Sequence, residues 1–157
     1  MKSIVFPGQG SQYVGMGKDL YDTFPEIKVI FEEVDDALQQ KLSHIIFEGP
    51  ENDLTLTENA QPAIMTIGIS VIGILKLRGF TVDRIADISA GHSLGEYTSL
   101  TALESLSLSD SAKLLKLRGR AMQDAFPYGK GAMAAILGLD INEVKETINN
   151  SRTDNVC

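Results

Sequence analysis

The chain has 157 residues, 43% of them hydrophobic, which suits an ordinary globular domain with a sizeable core. Its formal charge of −7 is unevenly placed: residues 1–60 carry 4 Lys/Arg against 11 Asp/Glu, whereas residues 61–157 carry 10 of each. The acidic first third argues against nucleic acid or an anionic membrane as a partner, yet a local arginine in the neutral part can still hold an anionic substrate. The one cysteine, Cys157, allows no disulfide framework within the chain, which suits a reducing compartment. Pro7-Gly8 cuts the first apolar run too short for a signal peptide, and the expected location is cytoplasmic.

In chain order, Ser3–Phe6 predicts a short buried strand stopped by the glycine-rich loop Pro7-Gly8-Gln9-Gly10-Ser11. Pro25 starts a helix on which Ile27, Ile30, Phe31, Val34 and Leu38 recur at helical spacing. Residues 43–60 read as loops and short turns punctuated by Gly49-Pro50. Gln61-Pro62 opens a long apolar helix that Gly79 ends; polar and glycine interruptions leave it short of a membrane span and make it a core helix. A strand over 85–88 follows, then a turn at Gly91–Gly95 and a helix through Tyr97 and Leu100. Ser109-Asp110 caps a further helix that runs toward Ala125, which Pro127-Tyr128-Gly129 closes. Residues 131–137 read as a buried strand, 141–148 as a short helix, and Val156-Cys157 as the opening of another strand. Strands alternating with helices give an α/β fold with a mostly parallel sheet.

Gly91-His92-Ser93-Leu94-Gly95 is a G-x-S-x-G element between a strand and a helix. That context makes Ser93 a candidate nucleophile at a sharp elbow. As a plain helix cap, Ser93 would be explained but its two flanking glycines would not. A serine hydroxyl also needs a base to take its proton. His92 is adjacent to Ser93 and diverges from it at such an elbow, while His44 reads as structural or surface; two separated histidines also give metal binding little support. Arg118 shares a helix face with Leu114 and Met122, where a guanidinium either grips an anion with its planar fork or snorkels from the helix edge. Arg120 points elsewhere, toward solvent. Gln9, in the loop after the first strand, lies at the same sheet edge as the elbow, where its backbone N–H and that of Leu94 are placed to bind an oxyanion. The loop is neither a P-loop nor a G-x-G-x-x-G fingerprint.

Phe6-Pro7-Gly8-Gln9-Gly10-Ser11-Gln12, Gln61-Pro62-Ala63, Gly91–Tyr97, Arg118-Gly119 with Met122-Gln123, and Gly131–Ala134 stand together in an order that resembles the malonyl-CoA:acyl carrier protein transacylases of bacterial type II fatty-acid synthesis and the related acyltransferase domains. The resemblance implies transfer of a malonyl group from malonyl-CoA to the phosphopantetheine thiol of acyl carrier protein through a malonyl-serine ester. It gives Ser93 the nucleophile's role, the Gln9 and Leu94 amides the oxyanion hole, and Arg118 the malonyl carboxylate. It implies no cofactor and no metal, with malonyl-CoA as substrate and acyl carrier protein as partner. The implied fold has an α/β-hydrolase-like large subdomain with a parallel sheet, begun by residues 1–128. A ferredoxin-like small subdomain starts within 129–157 and is truncated there.

Family members are much longer, and their catalytic histidine aligns with neither His44 nor His92. The expectation from the sequence is therefore a chain impaired on its own, with incompletely covered sheet edges, prone to aggregate or to pair with a complementing C-terminal fragment. The alternatives are a serine thioesterase or esterase on the same elbow and a non-catalytic truncated remnant.

Overall fold

Two parallel strands lie under a layer of helices in a computed structural model that describes residues 1–125 and 136–151. Strand β1 (Ser3–Phe6) pairs with β2 (Ile88–Gly91) in register Ser3 to Ile88 through Phe6 to Gly91. Between them run α1 (Lys18–Thr23), a 3-10 turn (Pro25–Ile27), α2 (Lys28–Leu38), α3 (Leu42–Glu48), α4 (Glu51–Thr55), α5 (Thr57–Leu77) and α6 (Val82–Ile85). After β2 come α7 (Gly95–Ala102), α8 (Leu108–Ala125) and α9 (Ile141–Asn150). The α/β class and the parallel pairing agree with the sequence reading.

The chain divides into two compact units, Met1–Phe126 and Pro127–Cys157. In the first, α5 is the central helix, packed on α8, α2, α3, α4 and α7. Its Ala63 and Met65 meet Phe31 and Val34 of α2, Ile46 of α3 and Leu115 of α8 in one apolar cluster. Phe6, Ile72, Val82 and Ala102 form a smaller cluster against β1. In the second unit, Asp140 caps α9: its carboxylate accepts from the Asn142 and Glu143 N–H groups, and Glu143 accepts from the Asp140 N–H.

Several elements differ from the sequence reading. The segment 43–60 is not loop: it holds most of α3, all of α4 and the first turn of α5. The helices α3 and α4 have 7 and 5 residues, too short for a periodic signal, and they are held by burying Leu42, Ile46 and Leu54. α5 starts at Thr57, so Pro62 lies inside it and removes the bond that residue 62 would make to the Glu58 carbonyl. With 21 residues, α5 is long and apolar enough to cross a membrane by length and composition, contrary to the expectation, although Ala63, Met65 and Thr66 are buried within this unit. The second strand begins at Ile88, and Val82–Ile85 is a helical turn. The cap of α8 is Ser107, whose Oγ accepts from the Asp110 N–H at 3.0 Å, so Ser109-Asp110 is already helical. Of the strand expected over 131–137, Ile136 and Leu137 have no regular structure and the rest lies outside the described residues, as do Val156 and Cys157.

Candidate active site

The turn between β2 and α7 is built from two glycines that no other residue replaces without clashing. A Cβ on Gly91 would lie 1.9 Å from the Gly95 carbonyl carbon, and one on Gly95 would lie 2.5 Å from the Phe6 carbonyl oxygen at the end of β1. Ser93, between them, adopts a left-handed backbone with φ of 56°, a conformation that L-residues rarely hold. These are the marks of a strand-to-helix elbow, and Ser93 is exposed at its tip. The His92 N–H donates to the Phe6 carbonyl at 3.0 Å, which fastens the elbow to β1.

The same contacts bring in the loop after β1. A Cβ on Gly8 would lie 2.3 Å from His92 Nδ1, so the loop presses directly on the elbow. The loop is shaped by its own bonds: the Gly10 N–H donates to Gln12 Oε1 at 2.8 Å, and Ser11 Oγ donates to the Gly8 carbonyl at 3.0 Å. Among the described residues, the amides of Gln9 and Leu94 donate to no protein group. The Gln9 side chain reaches Thr57 Oγ1 at 3.4 Å, at the first residue of α5.

Arg118 reaches the elbow from α8. Its Nη2 donates to Ser93 Oγ at 3.0 Å and its Nη1 donates to Gln61 Oε1 at 2.6 Å. Its Cζ lies 6.0 Å from the centre of the Tyr97 ring, at the outer range of a cation–π contact. Gln61 is fully buried on α5, and its Nε2 donates to Met122 Sδ at 3.4 Å. Among the described residues both hydrogen-bond partners of Arg118 are neutral, leaving its charge without a counter-ion. The helix face differs from expectation in one respect. Leu114 is 41% exposed, so Arg118 stands at the margin of the apolar stripe; the buried face carries Ala112, Leu115, Lys116 and Gly119.

Sequence reasoning passed over a second group of polar residues one turn away. Lys116 is buried, and its Nζ donates to Asn59 Oδ1 at 2.7 Å and Gln40 Oε1 at 2.8 Å, and lies 3.1 Å from Glu58 Oε2. Arg120, expected to be solvated, does point away from Ser93, yet its Nε donates to the same Glu58 oxygen at 2.7 Å. The Arg120 hydrogen bond is the main reason the Glu58 carboxyl lies below its usual pKa; partial burial opposes it and Lys116 adds to it. Gln61 and Lys116 carry no local sequence signal, because their partners, Arg118 and Gln40 with Asn59, lie 57 or more residues away. His44 is exposed on α3, and neither it nor His92 makes a hydrogen bond to Ser93 among the described residues. Among the described residues no cluster of three or more His, Cys, Asp or Glu is placed to hold a metal ion.

Residues 4–157 match the acyl transferase domain family. The chain belongs to that family. It is 49% identical to the malonyl CoA-acyl carrier protein transacylase of Bacillus subtilis over 144 residues, covering 92% of this chain and 44% of the relative. The Staphylococcus aureus (strain MRSA252) transacylase is 40% identical over 152 residues, covering 97% of this chain and 47% of the relative. Among solved structures, an acyl-carrier-protein S-malonyltransferase from Bartonella henselae superposes with a TM-score of 0.90 at 51% identity, over 96% of this chain and 48% of that one. A malonyl-transacylase solved in complex with a type II polyketide acyl carrier protein superposes with a TM-score of 0.86 at 36% identity, over 94% of this chain and 47% of that one. The chain thus shares the acyl transferase fold along almost all of its length, and it spans about half the length of these relatives.

Proposed function

We propose that this chain carries the acyl-accepting half of a malonyl transfer site, with Ser93 as nucleophile and Arg118 as the anchor for the malonyl carboxylate. The observation that carries the reading is the Arg118 guanidinium, which among the described residues has only neutral hydrogen-bond partners and lies 3.0 Å from the hydroxyl of an elbow serine. A half-buried cation without a counter-ion favours an anionic ligand, and a malonyl thioester brings a carboxylate close to its reacting carbonyl. The likeness to malonyl transacylases supports the same substrate.

In this reading Ser93 Oγ attacks the thioester carbonyl of malonyl-CoA. The C–S bond breaks, a malonyl ester forms on Ser93, and the hydroxyl proton passes through a base to the departing thiol of coenzyme A. The Gln9 and Leu94 amides face the oxygen that becomes negative in the tetrahedral intermediate. Arg118 exchanges its bond to Ser93 Oγ for the substrate carboxylate while Gln61 keeps hold of its Nη1. The thiol of a phosphopantetheine carried by acyl carrier protein then attacks the ester and restores the serine. The chemistry assigned to these residues requires no cofactor. The base is assigned to neither His44 nor His92. Residues 129–157 are read as the beginning of a ferredoxin-like small subdomain inserted in the large one.

The test is peptide mapping by mass spectrometry after the chain meets malonyl-CoA in an imidazole buffer, which supplies a base from solution. A malonyl adduct on the peptide that holds Ser93, absent in Ser93→Ala, is the expected result. An adduct elsewhere, or one that persists in Ser93→Ala, contradicts the assignment.

A further inference from the structure

Arg118 is carried by α8, which packs along α5, and one contact between these two helices leaves no room for a side chain. Gly119, next to Arg118, lies against the first turn of α5. A Cβ there would stand 2.4 Å from Glu58 Cα, 2.7 Å from Glu58 N and 2.7 Å from the Thr57 carbonyl oxygen. All three atoms are backbone, so no side-chain rotation relieves the contact. Any residue larger than glycine forces the helices apart by about 1 Å to reach ordinary van der Waals separation.

The same turn of α5 is tied to α8 by charge. Lys116 and Arg120, four residues apart on α8, both meet Glu58 Oε2, at 3.1 and 2.7 Å. Arg118 lies between them in sequence and faces the other way, toward Gln61, which is one turn beyond Glu58 on α5. Glu58 thereby occupies Lys116 and Arg120 and leaves Arg118, between them in sequence, to the elbow. Gly119 permits the close approach of α8, and Glu58 pairs with α8 on either side of it.

We propose that Gly119 and Glu58 are positioning residues for acyl selectivity: their contact fixes the reach of the Arg118 guanidinium to the acyl group on Ser93. This rests on the reading of Arg118 as the carboxylate anchor. Neither residue touches the substrate in it. A displacement near 1 Å at such a contact is enough to cost roughly a hundredfold in a well-oriented site. It should fall on acyl groups that carry a carboxylate and spare those that do not.

The experiment is calorimetric titration of malonyl-CoA and of acetyl-CoA into the Ser93→Ala chain, which cannot be acylated there. The same titrations follow on Ser93→Ala combined with Gly119→Ala, Glu58→Gln or Arg118→Ala, each checked for its fold by circular dichroism. The expected result is a preference for malonyl-CoA of roughly tenfold or more in the Ser93→Ala chain, as a charge-assisted contact provides. Gly119→Ala and Glu58→Gln should each shrink that ratio at least threefold with acetyl-CoA affinity unchanged. Glu58→Gln adds no atom to the helix contact, and it carries the test if the alanine variant does not fold. Equal weakening of both esters, or an unchanged ratio in folded variants, overturns the proposal while Arg118→Ala still abolishes the preference. A preference that is absent from the Ser93→Ala chain, or that survives Arg118→Ala, overturns the anchor reading and this proposal with it.

Discussion

Ser93 holds a left-handed backbone, φ 56°, that a non-glycine residue adopts only at a cost. That cost separates two variants that both lack the hydroxyl. Ser93→Gly should be more stable than Ser93→Ala by about 1 kcal/mol, because only glycine enters this conformation freely. Thermal and urea unfolding of the pair measures the difference; equal stability would mean that the elbow is unstrained. Glu58 gives a pH dependence of definite sign. Its folded-state pKa is depressed, so its stabilisation is present above the ordinary glutamate range and is lost as pH falls through the lowered value. Melting temperature followed from neutral pH downward should fall less steeply for Glu58→Gln than for the parent. Identical slopes would show that the Lys116–Glu58–Arg120 group adds nothing. At this scale the elbow around Ser93 was legible in the sequence through its paired glycines. Helix spacing left Arg118 open between gripping an anion and snorkelling, and Leu114 of its expected apolar stripe is 41% exposed. Gln61 was not legible, because its role depends on a partner 57 residues away.

Elements were legible in proportion to their length. The long helices α2, α5 and α8 show in the spacing of their apolar residues, whereas α3 and α4 exist because Leu42, Ile46 and Leu54 are buried by other segments. The shift of β2 has a similar origin. Ile88-Ser89-Ala90-Gly91 has weak strand propensity, and its position follows from pairing with β1 in register Ser3 to Ile88. The cap of α8 was misread by two residues because Ser107 and Ser109 are equally good caps in isolation; the Ser107 bonds to Asp110 decide between them. Ser107→Ala should therefore destabilise the chain by about 1 kcal/mol, whereas Ser109→Ala should not act through the cap. Chemical denaturation of the two variants distinguishes them, and a larger effect at Ser109 would return the cap to that residue. Crossing helices bring the chemistry together: α8 carries Arg118 past α5 at Gly119, where a side chain would strike the Glu58 backbone.

Across the whole molecule, the acidic first third and the neutral remainder meet at the α5–α8 contact. Glu58 takes up two cations of α8, while the hydrogen-bond partners of Arg118 among the described residues, Gln61 and Ser93, are neutral. In the proposed function, that division leaves a cation for the malonyl carboxylate in a chain of net charge −7. The loop at Gln9, the elbow at Ser93 and the helix at Arg118 all lie within the unit Met1–Phe126. In the proposed function, Arg118 selects the acyl group that Ser93 accepts. The most direct test is the rate at which malonyl-CoA and acetyl-CoA each acylate Ser93 in an imidazole buffer, for the parent chain and for Arg118→Ala. Arg118→Ala should slow malonyl loading by roughly tenfold to a hundredfold, the worth of hydrogen bonds to a charged group, and leave acetyl loading nearly unchanged. Equal slowing of both, or malonyl loading that survives intact, would contradict the account.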